Sequence, residues 1–244
     1  MDSIEKNPFR ILGIKSNASL KEITGSEVTI KRYIEIGETP VLKFDLTPPL
    51  KDINRSEKGI TKAKNQLHHP KDKLVHSLFW FVSSGPIDDI ALSKLTDSKD
   101  TETALDTFLK GSKNFKLSLK TSTCILNHST LDLILYNEHK DEERLFNALR
   151  RKLELLSDKD VVNHIENLVT GDKHKINYSS VKEEVYAVVK KILKETFPRR
   201  KQSKLLLSLL PPSSDFKKEI EVDIVNEILA KISVETKKFD EIFE

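Results

Sequence analysis

The chain has 244 residues, 32% of them charged and 7% aromatic, with only 7 glycines, a composition that favours well-solvated helices in one large or two smaller domains. Its 41 basic and 38 acidic side chains leave a net charge of +3, too small an excess to demand nucleic acid or a membrane as partner. The one cysteine, Cys124, excludes an internal disulfide and a zinc knuckle.

The first six residues, Met1 to Lys6, are polar and acidic and lack the apolar core of a signal peptide. No stretch approaches the roughly 20 apolar residues of a membrane span. The expectation is a soluble, cytoplasmic protein with no membrane partner. Asn7-Pro8-Phe9-Arg10-Ile11-Leu12-Gly13 reads as a short helix with both ends marked. Asn7 is a good N-cap, Pro8 suits the first helical position, and Gly13 is a left-handed stop. Ser19 and Glu22 then form a capping box that opens a second helix, with Ile23, Val28, Ile30 and Ile34 at helical spacings. Gly25 weakens that helix, and Lys31 and Arg32 lie near its end.

From Gly37 to Asp52 the connection is long, and Pro40, Pro48 and Pro49 forbid a helix. Within it Val41–Leu46 alternates apolar and polar residues, which predicts an extended segment or lone edge strand anchored by Leu42, Phe44 and Leu46. Asn54 as N-cap and Glu57 as its reciprocal partner start a third helix, whose inner stripe is Ile60, Ala63 and Leu67. Pro70 resets the chain. A fourth helix is predicted over 71–82, carrying Leu74, Val75, Leu78, Phe79, Trp80, Phe81 and Val82, too many apolar groups for one face. Its surplus, including Trp80 or Phe81, is expected to pack on the helices after Pro86 and make a rigid joint.

A short capped helix, then Asn17-Ala18-Ser19-Leu20-Lys21-Glu22-Ile23, then Ala63-Lys64-Asn65-Gln66-Leu67-His68-His69-Pro70-Lys71-Asp72-Lys73-Leu74, resembles a J-domain. That is the co-chaperone module of the seventy-kilodalton heat-shock system, and the resemblance covers roughly residues 5–82. It implies that the second helix and the loop after it meet the partner ATPase, with Lys31, Arg32 and Glu35 as candidate partner-binding residues. Read without the resemblance, Lys31 and Arg32 are an ordinary solvated face. The family's His-Pro-Asp signature is missing. Its spacing lands on Glu35-Ile36-Gly37, and His69-Pro70 followed by Asp72 lies in the later turn and is one residue too long. The resemblance therefore implies a degenerate J-like domain that does not stimulate the ATPase.

Ser83-Ser84-Gly85-Pro86 is the linker signal, dividing a J-like domain at 1–82 from a helical interaction domain at 87–244. Helices are predicted at Asp88–Leu95, Thr101–Leu109, Ser118–Leu126, Thr130–Tyr136 and Asp141–Leu156. Further helices follow at Asp158–Val169, Ser179 or Ser180 to Phe197, Lys204–Leu210, Asp215–Ile232 and from Val234 onward. The stretches 87–156 and 158–244 stand as two parts of this domain. The helical pairs between about 87 and 156 are tetratricopeptide-like in succession but lack that repeat's marks. The fold class is all-α.

Candidate chemistry is thin. The seven histidines are scattered with no pair four apart, so no metal site is expected, and the dispersed glycines offer no phosphate cradle or cofactor loop. Cys124 and His128 have the one Cys–His spacing that a helix could bring into contact, yet nothing in the sequence lowers the thiol pKa, and a buried thiol is the better reading. No enzyme and no cofactor are expected. The basic stretch Arg199, Arg200, Lys201 and Lys204 follows Phe197-Pro198. Its functional reading is nucleic-acid phosphate contact by a helical scaffold. The preferred reading is a solvated interhelical turn, its cations near the C-terminal dipole of the preceding helix. The leading functional expectation is a non-enzymatic, chaperone-like protein that binds another protein, either a chaperone or a client.

Overall fold

In a computed structural model the described residues are 1–171 and 175–209, with scattered positions between 218 and 236; Arg199, Arg200 and Ser203 are described in backbone only. Among them the secondary structure is helical, with no strand. Helix α1 (Asp2–Glu5) leads into α2 (Pro8–Ile11), where the Asn7 side chain accepts from the Phe9 N–H at 3.1 Å. Gly13 takes φ +66°, and a Cβ there would lie 2.4 Å from Leu42 Cβ, so glycine is required for both conformation and space. The predicted capping box forms at the start of α3 (Leu20–Glu35).

One cap and one helix end differ from expectation. Helix α4 (Glu57–Gln66) is capped by Ser56, which accepts from Gly59 N–H, rather than by Asn54. Helix α5 (Pro70–Ser77) stops five residues before Val82. Leu78, Phe79, Trp80, Phe81 and Val82 are all buried and run as a turn and an extended crossing. A short continuous apolar run has no period to distinguish a buried helix from a buried crossing, and the crossing won.

The second half begins with α6 (Pro86–Thr96) and α7 (Thr101–Gly111), close to their predicted limits. The two helices expected at 118–126 and 130–136 are a single one, α8 (Ser122–His139), with every residue from Ser122 to Tyr136 buried. A helix covered on all sides shows no amphipathic period, so its sequence looked broken. Helix α9 (Glu142–Leu155) buries Leu145, Leu149 and Leu153 on one face, as its spacing requires. Asp141 and Asp158 cap α9 and α10 (Lys159–Thr170), and α11 (Tyr178–Thr196) follows.

Helix α12 (Arg199–Leu209) begins five residues before the predicted Lys204. Of the helices expected at 215–232 and beyond 234, the described positions are helical; the others, with all of 237–244, lie outside the described residues.

Packing joins the two halves. Helix α5, besides touching α2, lies on α10 and α11, while α8 is flanked by α6, α7, α9 and α10. The buried apolar side chains form one core from Ile4 to Leu209. The Ser-Ser-Gly-Pro stretch expected as a linker is held from both sides. Ser83 N–H donates to Asn17 Oδ1, Asn17 Nδ2 donates to Ser83 O, and Ser84 Oγ lies 2.7 Å from Thr123 Oγ1.

Trp80 is buried, but its Nε1 donates backward to Ile14 O at 3.0 Å. Trp80 and Phe81 belong to the core that both halves share, and hydrogen bonds to the second half come from Asn127 and Lys152 as well as Thr123. Asn127 Oδ1 accepts from Val82 N–H at 2.9 Å and its Nδ2 donates to Val82 O at 2.7 Å. Replacing Asn127 with Ala removes partners from two buried backbone groups, and we expect a loss of roughly 2–3 kcal/mol. Urea denaturation of the variant, with an unchanged slope and a lower midpoint, checks this.

Candidate partner-binding surface

Helix α3 packs its inner face on α4, and Ile23, Glu27 and Ile30 are the residues it buries. Glu27 is a staple between the two helices: Lys31 Nζ donates to Oε1 at 2.8 Å and Lys64 Nζ to Oε2 at 2.6 Å. Those two hydrogen bonds hold the Glu27 carboxyl below its usual pKa, against the smaller opposing effect of burial. Lys31, a candidate for partner contact, is half-buried with its ammonium on Glu27. Arg32 and Glu35, the other two candidates, are exposed.

Among the described residues α4 is the helix on which α3 chiefly packs, and the opposite face of α3 is exposed. Lys21, Gly25, Val28, Arg32 and Ile36 succeed one another at spacings of three and four, so they form one stripe along it. Val28 is 42% exposed and Ile36 68%, and Val41 in the loop beyond is 92% exposed. Large apolar side chains left in water along one row mark an interaction surface more than scattered ones do. Ile36 stands inside the Glu35-Ile36-Gly37 triplet, where Gly37 turns the chain with φ +76°.

The loop after it is ordered by a buried ionic cluster. The Arg55 guanidinium grips Asp45 with both ends, Nη1 on Oδ2 at 3.0 Å and Nη2 on Oδ1. Its Nε donates to Ile11 O at 2.8 Å, and Nη1 also reaches Pro40 O. Arg10, buried as well, donates from Nε to Asp45 O and from Nη1 to Glu5 O, and its Nη2 reaches Lys51 O. Phe44 and Leu46, two of the three anchors the alternation indicated, seal the loop from inside together with Leu50, while Leu42 is half-covered and no strand forms. Backbone carbonyls collected by two guanidiniums replace the ladder a strand would need. Sequence reasoning missed Arg10, Asp45 and Arg55, because arginine is ordinarily exposed and three positions so far apart show no spacing.

Elsewhere the sequence-predicted groups do not assemble into chemistry. Cys124 is buried and donates to Asp88 Oδ1 at 3.4 Å, and burial, followed by the Asp88 charge, pushes its pKa up to about 12. His128 faces Asp132 at 2.9 Å and Arg151 at 3.3 Å, and its ring meets Phe115 edge-on; the Cys–His pair is not made. The basic stretch lies in the first turns of α12 rather than in a turn between helices. Lys201 and Lys204 are exposed there, at the dipole end that disfavours cations, and the side chains of Arg199 and Arg200 lie outside the described residues. No arrangement of three or more His, Cys, Asp or Glu suited to a metal ion occurs among the described residues. No described helix is long and apolar enough to cross a membrane.

The chain matches no family model, no curated protein and no solved structure. The surface must therefore be judged on its own geometry.

The loop that follows α3 depends on the ionic cluster staying intact. Arg55→Met would strand the Asp45 carboxylate without its buried partner, and we expect a loss of about 3–5 kcal/mol. Chemical denaturation of the variant tests it, and a change under about 1 kcal/mol would mean that Asp45 finds water or another donor.

Proposed function

We propose that this is a non-enzymatic, chaperone-like protein that works by binding another protein through the outer face of α3. In this reading residues 1–82 are a degenerate J-like unit, and the helical pairs after it are a tetratricopeptide-like interaction unit. The observation that carries it is the exposed row Lys21, Gly25, Val28, Arg32 and Ile36, which ends on the triplet where a J-domain has His-Pro-Asp. The short capped α2, the long α3 packed on α4, and α5 after Pro70 support the same reading by their order.

The mechanism follows from what the row contains. Arg32 offers a guanidinium for a carboxylate on the partner, and Val28 and Ile36 on either side offer apolar surface that binding would remove from water. Glu35 puts an acidic group where the family carries histidine, and Gly37 follows where it carries aspartate. With that triplet altered and Lys31 bound to Glu27, docking is uncoupled from hydrolysis. The partner is held by affinity alone.

A single-turnover assay with a seventy-kilodalton chaperone tests the reading. We expect hydrolysis at the background rate with the protein in excess, unaffected by Arg32→Ala. Strong acceleration that Arg32→Ala abolishes would contradict it.

A further inference from the structure

A cavity of about 430 Å³ lies between the first helices and α11, well away from the outer face of α3. Its size falls within the range of small-molecule sites, and its position, where two halves of a fold meet, is a common one for them. Ile11, Val75, Phe79, Val188 and Ile192 provide apolar wall. These come from α2, α5, the crossing after it and α11, so the space exists only because the two halves are packed together.

The polar groups around it divide into those already engaged and those that are not. Asp2 is taken by Lys6 at 3.2 Å and by Lys191 at 3.4 Å, and Lys191 also lies 3.7 Å from Glu195. Glu195 is also held by the terminal ammonium of Met1 at 3.1 Å, so both lining carboxylates are already paired. Lys62 is exposed at the cavity edge, with no carboxylate within salt-bridge distance among the described residues. Gln66, one turn on, and the His76 ring also line the space without a hydrogen bond among the described residues. Ser3 Oγ is closed to solvent and has no hydrogen-bond partner among the described residues.

We propose that this cavity binds an amphipathic monoanion, a medium-chain fatty carboxylate, with its hydrocarbon against Val75, Phe79 and Ile192 and its headgroup at Lys62. One unneutralised cation beside an apolar pocket suits one negative charge on an apolar body. Gln66 is placed to add a hydrogen bond to the carboxylate. The site is separate from the α3 surface, so it stands or falls independently of the proposed partner binding.

Isothermal titration of the full chain with decanoate and with 1-decanol tests the proposal. We expect saturable one-site binding of decanoate, weaker binding of decanol, and a higher melting temperature with decanoate. Lys62→Gln, an exposed substitution, should weaken decanoate about fivefold and leave decanol unchanged, the size expected for a partly solvated ion pair. Val188→Trp, which fills the space from its half-covered rim, should abolish binding of both. No saturable binding by the wild type, equal affinity for the acid and the alcohol, or decanoate binding that neither variant alters would overturn it. So would association only with anionic phospholipid vesicles and none with free decanoate, which would make this a membrane contact.

Discussion

A buried backbone outside any helix must have each polar group satisfied, and in this protein that constraint falls on the crossing from Leu78 to Ser84. The crossing carries no ladder of its own, so side chains supply its partners. Ser16 donates to Phe81 O with both its backbone N–H at 2.8 Å and its hydroxyl at 2.8 Å. Asn17 pairs with Ser83 from the same side, and Asn127 pairs with Val82 from the other. Lys152 Nζ completes the set by donating to Leu78 O at 2.7 Å. The position of α5 against α10 and α11, and the cavity beside α11, follow from a crossing that both halves hold.

Lys152 shows what such a joint costs. It is buried and its amine also donates to Thr130 Oγ1 at 2.9 Å. Burial drives its pKa well below that of an ordinary lysine, and the charge of Asp132 opposes this only in part. The Phe79 ring, 5.3 Å away, also favours the charged form, but desolvation of an enclosed ammonium outweighs a cation–π contact. Two acceptors suit the two N–H bonds of a neutral amine. Thr130, whose hydroxyl donates to Leu126 O, is free to accept. Because the unfolded chain binds the proton more readily than the folded one, this group makes stability rise with pH between its native pKa and the ordinary lysine value.

How much of this was legible depends on whether local chemistry or tertiary burial decided each element. Asn7, Ser19, Asp141 and Asp158 serve as caps where the sequence placed helix starts, because a cap is settled within three residues. The α9 stripe was equally plain, since half its circumference meets water. Helix α8 and the crossing were misread for the opposite reason: with burial on every side, neither periodicity nor polarity signals structure. Asn127, Ser129, Thr130 and Asp132 look like surface residues in the sequence, yet all four are buried in α8. Of the candidate surface, Arg32 and Glu35 are exposed, and Lys31 is half-buried with its ammonium on Glu27. The three members of the Asp45 cluster gave no signal, since their meaning lies in carbonyls brought together by the fold.

The central claim is that the crossing makes the two halves one cooperative unit. Trp80, the single tryptophan, is buried within that crossing and so reports on it directly. The most direct test follows Trp80 emission and far-ultraviolet helicity together through urea unfolding of the intact chain. The account predicts blue-shifted emission in the native protein and one transition with coincident midpoints for both signals. A tryptophan that becomes solvent-exposed at lower urea, while much of the helicity persists, would contradict it.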